Sequence, residues 1–123
     1  MAVQFETSAA DFPPNVEAVR IEHVEVYFVR RPGVKFEFET VELRLARPDG
    51  PSPKGICGTE AGLISTRTAR GTPWLVFRDV VPVGRWTLTF PDSEEVRRRF
   101  ADDDVTDIVL IVTFAGRLPE WPV

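Results

Sequence analysis

Apolar and polar residues alternate over several short stretches of this chain, a pattern typical of β-strands that bury one face. Between Val16 and Val29, for example, Val24, Val26 and Phe28 occupy the same face. Prolines and glycines separate the stretches at short intervals and limit each to the length of a strand. The pattern predicts strands at Val3–Thr7, Val16–Val29, Val34–Ala46, Leu63–Thr68, Trp74–Val80, from Gly84 through Phe90, and at Ile108–Phe114.

Two of the predicted strands carry the strongest signal for the core. Trp86, Leu88 and Phe90 share one face, so we expect Trp86 to be a structural anchor of the interior. The stretch Ile108–Phe114 is apolar on both faces, which predicts a central strand.

The stretch Val34–Ala46 changes phase in its middle. Phe36 and Phe38 are at even-numbered positions, whereas Val41 and the leucines that follow are at odd-numbered positions, so in one continuous strand they would lie on opposite faces. Because such a slip moves the apolar set to the opposite face, we expect a bulge at Glu39–Thr40 or a strand that passes between two sheets there.

One helix is predicted near 93–101. Asp92 lies three residues before Glu95, as in a capping box. Val96 and Phe100 are four residues apart and share the face that would contact the core. The three arginines between them are expected to face water.

These elements predict an all-β fold, a two-sheet β-sandwich with one short helix, built as a single domain over residues 1–123. The pattern does not separate a jelly-roll from an immunoglobulin-like topology. The tail 117–123, which includes Trp121, is left unassigned.

Composition narrows the classes of function. The chain has 15 basic and 19 acidic side chains, and acids flank its one run of arginines, so no sustained basic patch for nucleic acid is present. No apolar run is long enough for a membrane helix, and the N-terminus does not resemble a signal peptide. We therefore expect a soluble protein, either cytoplasmic or exported without a cleavable signal.

Candidate chemistry is sparse. His23 is the single histidine and lies within a predicted strand, and Cys57 is the single cysteine with no base nearby in sequence. A structural or surface role suits His23, and a buried thiol suits Cys57. No catalytic set, metal site or cofactor motif is predicted, and a small hydrolase is disfavoured because no triad or metal set can be recognised.

The run "ADDDVTDIVLIVTFAG" from Ala101 places four carboxylates before an apolar strand. A calcium loop normally includes a glycine for its sharp turn, and "DDDVTD" has none. We expect instead that Thr106 and Asp107 bond nearby backbone N–H groups and fix the entry of the chain into the sheet. Asp102 and Asp104 are expected to be solvated.

The stretch "FRDVVPVGRWTLTFPDSEEVRRRFADDDVTDIVLIVTFAG" resembles the C-terminal end of the A component of insecticidal toxin complexes (Tc toxins). The matching features are Phe77-Arg78-Asp79, the tryptophan strand Trp86–Pro91, and the segment from Asp103 to Leu110. Similarity extends over about residues 16–114. The resemblance implies a β-sandwich that docks on another protein within a large toxin assembly, with a role in virulence.

This chain departs from the toxin component in two respects. It carries none of the channel of those very large proteins, and its last strand reads Phe114-Ala115-Gly116-Arg117 where the family usually continues through Tyr-Thr-Ala-Arg. Fold transfers across such differences more readily than the identity of a partner.

The sequence therefore predicts a non-enzymatic protein-binding module that contacts another protein or a second copy of itself. Carbohydrate binding through exposed aromatic residues is the alternative. The uncharged region Leu63–Leu88 is the expected contact surface, because charged residues are depleted at the centre of protein interfaces. Its expected contact residues are Thr66, Thr68, Thr72, Trp74 and Thr87.

Overall fold

The computed structural model describes residues 1–119, so Trp121 and the end of the tail lie outside the described residues. Within that range the chain forms seven strands, one α-helix and two 3-10 helices. The strands are β1 (Ala2–Thr7), β2 (Glu17–Arg30), β3 (Val41–Ala46), β4 (Lys54–Cys57), β5 (Leu63–Ser65), β6 (Gly84–Thr89) and β7 (Val105–Arg117). The helices are α1 (Glu94–Ala101) and the 3-10 helices Ala9–Asp11 and Ala69–Phe77.

The strands form two antiparallel sheets, which confirms the predicted all-β, two-sheet sandwich. The four-stranded sheet has the order β1-β6-β3-β4, and the three-stranded sheet has the order β5-β2-β7. An immunoglobulin constant domain would instead place its second strand beside the first in one sheet. In this fold β2 lies between β5 and β7, so the order is not that of an immunoglobulin domain.

The core lies between the sheets and draws on both of them. Val24, Val26 and Phe28 of β2 are buried, and so are Trp86 and Leu88 of β6. These are the faces that the alternation predicts, because successive side chains of a strand point to opposite sides. Among residues 1–119, no helix is long and apolar enough to cross a membrane.

Strand β7 lies at an edge of the three-stranded sheet, so the prediction of a central strand at Ile108–Phe114 is wrong. It pairs along its length with β2 and with no other described strand. Ile108 and Leu110 pack against the core, whereas Val109 and Ile111 face outwards and are exposed. Apolar residues on both faces therefore mark an exposed apolar surface here, not burial on two sides.

The predicted strand Val34–Ala46 begins only at Val41. Residues 34–40 are not part of a sheet, so the change of apolar positions between Phe38 and Val41 does not occur within a strand. Phe38 still reaches the core, and its N–H donates to the Thr59 hydroxyl at 2.8 Å. Hydrogen bonds to a loop thus replace the ladder bonds that a strand would have made.

The predicted strand Trp74–Val80 is also wrong, because the 3-10 helix Ala69–Phe77 occupies most of it, and the predicted strand Leu63–Thr68 stops at Ser65. Gly71, Trp74 and Phe77 are buried at intervals of three. A 3-10 helix has three residues per turn and can direct all three inwards, whereas a strand would alternate them. The Thr68 side chain accepts a hydrogen bond from the Gly71 N–H and begins the helix.

Helix α1 matches the prediction closely but differs in its cap and in one arginine. Ser93, not Asp92, is the N-cap, and its side chain accepts a hydrogen bond from the Val96 N–H. Arg97 and Arg98 are exposed as expected. Arg99 instead lies over the Phe36 ring, with its guanidinium carbon 4.5 Å from the ring centroid.

Candidate functional site

The free edge of β7 is the longest open sheet edge in the described part of the chain. β7 has 13 residues, whereas β1 and β4, the edge strands of the other sheet, have six and four. Between Asp107 and Arg117, nine consecutive residues, "IVLIVTFAG", carry no charge and no proline. Edge strands of natural proteins usually bear charges, prolines or bulges that discourage pairing with another chain. This segment has none of those protections over its central part.

The direction of the backbone groups on β7 follows from the bonds of β2. The Val24 carbonyl accepts from the Thr66 N–H, and the Phe28 N–H donates to the Gly62 carbonyl, so these positions face the β5 side. Since backbone groups alternate between the two sides of an antiparallel strand, the intervening positions of β2 bond to β7. The register then directs the N–H and C=O groups of Leu110 and Val112 towards the open edge.

Asp107 closes one end of this edge. Its Oδ1 accepts a hydrogen bond from the Ile108 N–H at 2.9 Å, the first backbone donor on the open side. The Thr106 hydroxyl donates to the Val29 carbonyl at 3.1 Å and ties the start of β7 to β2. Asp107 thus bonds a backbone N–H as predicted, whereas Thr106 bonds a backbone carbonyl instead.

An apolar row crosses the outer face of the three-stranded sheet beside this edge. Tyr27 lies opposite Leu63 on one side and Val109 on the other. Tyr27, Val109 and Ile111 are 43%, 37% and 46% exposed. Glu25, which neighbours Ile111, bonds to Ser65 and Arg67 and forms a polar border. Apolar residues with a polar rim are the arrangement found at protein contact surfaces.

The outer face of the four-stranded sheet has the opposite character. Thr87 lies between Gln4 and Arg44, and Thr89 lies between Ala2 and Glu42. A sheet face of this composition is well suited to water. Apart from the exposed Ile56 of β4, which lies opposite Glu42, this outer face is therefore more polar than that of the three-stranded sheet, although both sheets contribute buried apolar residues to the core.

The contact residues predicted from sequence are not brought together as one surface. Trp74 is fully buried and its indole N–H donates to the Gly55 carbonyl at 3.0 Å, so it cannot contact a partner. Thr66 is also buried, and its hydroxyl accepts from the Val24 N–H. Thr68 and Thr72 are exposed, but the Thr68 hydroxyl donates to the Ser65 carbonyl at the end of β5 and the Thr72 hydroxyl donates to the Ala69 carbonyl. Thr87 is on the outer face of the other sheet.

Trp86, the predicted structural anchor, is fully buried. Its indole N–H donates to the Thr7 hydroxyl at 3.0 Å, which connects β6 to the end of β1. Phe77 packs against it with 5.4 Å between ring centroids. A buried tryptophan needs a partner for its N–H, and Thr7 supplies that partner here.

Asp104 is buried, so the expectation that it is solvated is wrong. It is 5% exposed, and its two carboxylate oxygens accept from Arg31 at 2.9 Å and Arg99 at 3.1 Å. Its backbone carbonyl also accepts from the Arg31 N–H at 2.8 Å. Asp102 and Asp103 are exposed. The aspartate run thus joins α1, the turn after β2 and the start of β7 through one carboxylate.

The described residues hold no group of three or more side chains suited to a metal ion. Near the aspartate run, a cavity of about 330 Å³ is lined by residues that include Phe36, Glu39, Glu95 and Arg99. Among its charged members, Arg99 is bound to Asp104, and Glu37 accepts hydrogen bonds from the Thr59 hydroxyl and the Gly62 N–H. We assign no chemistry to this cavity.

His23 and Cys57 both have local partners. The His23 Nδ1 lies 3.1 Å from the Thr66 hydroxyl, which links β2 to the chain that follows β5. Cys57 is buried on β4, and burial raises the pKa of its thiol to about 11, opposed by a backbone hydrogen bond from Trp74 and by the charge of Arg70. A thiol with a raised pKa is a poor nucleophile near neutral pH.

Sequence reasoning missed the β7 edge because it assigned Ile108–Phe114 to the interior. One signal was available: a run without charge, bounded by Asp107 and Arg117, fits an edge as well as a centre. Comparison with protein-family models, curated proteins and solved structures finds no match for this chain.

Proposed function

We propose that this protein is a non-enzymatic protein-binding module whose contact surface is the open edge of β7 together with the apolar row of Leu63, Tyr27 and Val109 beside it. The observation that carries the proposal is the uncharged, unpaired edge between Asp107 and Arg117. An extended chain can add to such an edge as a further strand, since main-chain hydrogen bonds supply affinity and alternate side chains supply specificity.

The resemblance to the Tc toxin A component supports the same class of function. It implies a sandwich that docks on other protein chains within an assembly, and the proposal extends to a toxin-like assembly of that kind. The contact surface proposed here differs from the Leu63–Leu88 region expected from sequence, because Trp74 and Thr66 are buried.

A sugar-binding surface would call for exposed aromatic rings. Trp74 and Trp86 are buried, and Tyr27 is the exposed large aromatic side chain among residues 1–119. Carbohydrate binding is therefore kept as an outcome of the test.

The experiment compares binding of the protein to a library of extended peptides with binding to a glycan array. We expect the wild-type protein to select peptides rich in β-branched and aromatic residues. Val109→Lys combined with Ile111→Lys should abolish that binding, because charges on an edge strand oppose pairing. The matched control Thr87→Lys, on the outer face of the other sheet, should bind as the wild type does. Glycan binding without peptide binding would reject the proposal.

A further inference from the structure

We propose that the strand which occupies the β7 edge is β7 of a second copy of this chain, paired antiparallel about a twofold axis at Val112. This inference rests on the proposed function, because it names the partner of the same edge. The result would be one continuous sheet with the order β5-β2-β7-β7-β2-β5.

The first support is the regular backbone of β7. The register between β2 and β7 has irregularities at Glu17/Arg20, Ile21/His23 and Val29/Arg30. At the first two the extra residues lie on β2, and at the third the extra residue is Thr106 of β7, which precedes Asp107. Strand β7 therefore keeps an unbroken alternation from Asp107 to Arg117. An unbroken strand can present a continuous set of N–H and C=O groups to another strand.

The second support is that alternate residues of β7 point their backbone N–H and C=O groups towards the open edge. The even-numbered positions of β7 direct their backbone groups to the open edge, including Leu110, Val112 and Phe114. In an antiparallel pair centred at Val112, each Val112 faces its copy, and Leu110 faces Phe114 of the second copy. Open groups thus meet open groups, as a hydrogen-bonded antiparallel ladder requires.

The third support is charge complementarity, which selects this register. Val112 is five residues from both Asp107 and Arg117. Pairing centred there brings Asp107 of each copy opposite Arg117 of the other, on the same face of the sheet. Opposite charges at directly facing positions stabilise strand pairs, and like charges destabilise them. If the pairing were centred at Ile111 instead, Asp107 would lie opposite Ala115, and both charge pairs would be lost.

The side chains of Asp107 and Arg117 are both accessible for contact with a second copy. Arg117 contacts Glu17 at 3.7 Å, a long ion pair between side chains that are 77% and 56% exposed. Asp107 is exposed and bonds the N–H of its own neighbour. In the paired state Gly116 of the second copy faces Ile108, so its carbonyl is placed to accept that N–H and release the Asp107 carboxylate.

The test uses charge reversal and mixing. Sedimentation velocity of the wild type should show an association that grows with concentration. Asp107→Arg alone and Arg117→Asp alone should each weaken the association by tenfold or more, since each creates two like-charge pairs per dimer. An equal mixture of the two variants should associate about as tightly as the wild type, because both pairs become attractive in the mixed dimer.

Two further measurements exclude indirect effects. The exposed pair of Asp92, which precedes α1, and Arg97 on α1 serves as a matched control, and Asp92→Arg or Arg97→Asp should leave association unchanged. Amide hydrogen exchange should show protection at Leu110 and Val112 that increases with protein concentration. A variant that merely damaged the fold would lose protection throughout β2 and β7 and would not be rescued by mixing.

Three outcomes would overturn the inference. The wild type could be monomeric at every concentration, the mixture could fail to restore association, or concentration-dependent protection could fall on a strand other than β7. Peptide binding at β7 by a strictly monomeric protein would reject the second copy as partner and leave the proposed function standing. Loss of both peptide binding and self-association would reject both.

Discussion

The edge strands β4 and β7 differ in length and in what packs against them. Against the inner face of β4 lies the 3-10 helix Ala69–Phe77, and the Trp74 indole N–H donates to the Gly55 carbonyl. A Cβ atom added at Gly55 would lie 2.4 Å from the Pro73 carbonyl oxygen, which shows how closely the helix approaches the strand. At β7 no described strand pairs with the free edge.

Edge strand β4 is short and is anchored by packing on its inner face, whereas β7 is long and leaves its outer edge unpaired among the described residues. Strand β4 carries an exposed Ile56 and would itself be a candidate for pairing. Its contact with the helix is fixed by the Trp74 side chain and by Gly55, which permits the close approach of Pro73. Strand β7 carries no charge and no proline over its central residues, and this open edge is the basis of the proposed contact surface.

The largest expected effect comes from removing the Trp74 side chain, which joins the 3-10 helix to β4. Trp74→Ala should lower the free energy of unfolding by roughly 3–5 kcal/mol, because it opens a cavity and leaves the Gly55 carbonyl without its indole donor. Chemical denaturation measures the change. Ile111→Ala on the open strand is the control and should stay within about 0.5 kcal/mol of the wild type, as exposed sites usually do. Similar losses in the two variants would contradict the comparison.

A smaller effect is expected where the open strand begins. Asp104→Asn should cost about 1–2 kcal/mol, between the ranges for exposed ion pairs and for buried charged hydrogen bonds. The reason is that Asp104 binds both Arg31 and Arg99. Asp103→Asn, an exposed neighbour, should leave the midpoint of unfolding unchanged. An equal loss in both variants would mean that the whole acidic run, not one carboxylate, anchors β7.

The smallest effect concerns Cys57, which lies on β4. Burial raises the pKa of its thiol from 9.0 to about 11, so above pH 9 the unfolded chain loses this proton before the folded chain does. The contribution to stability is therefore complete below about pH 9 and is lost as the pH rises towards 11. The free energy of unfolding, measured between pH 9 and pH 11, should fall as the pH rises, and it should fall less in Cys57→Ala. Identical pH dependence in the two proteins would show that the thiol is accessible to water in the folded state.

Most strands could be predicted from local alternation, and the exceptions share a cause. Trp86, Leu88 and Phe90 fall on the buried face as predicted, because a strand fixes which side chains share a side. The sequence predicts a strand at Trp74–Val80, which would place Trp74 and Phe77 on opposite faces. They are buried through a period of three, which a short segment with Pro73 and Gly71 permits.

The candidate site was harder to predict than the core. Thr66, Thr72 and Trp74 looked suitable for contact because they are uncharged and close in sequence. Burial and bonds to nearby backbone remove Thr66 and Trp74 from the surface. Asp104 looked solvated because it sits among other aspartates, yet two arginines from separate elements converge on it.

By itself the sequence determined the fold class, the inner faces of most strands and the helix near 93–101, because these depend on the residue types within a few positions of each other. Only the tertiary structure decided that β7 is an edge and that a 3-10 helix packs against the inner face of β4. Both depend on which distant segments pair, and a strand with two apolar faces has the same local pattern at the centre of a sheet as at an exposed border. The physical difference lies in long-range packing, which places the helix Ala69–Phe77 against β4 and leaves the free side of β7 without a described neighbour.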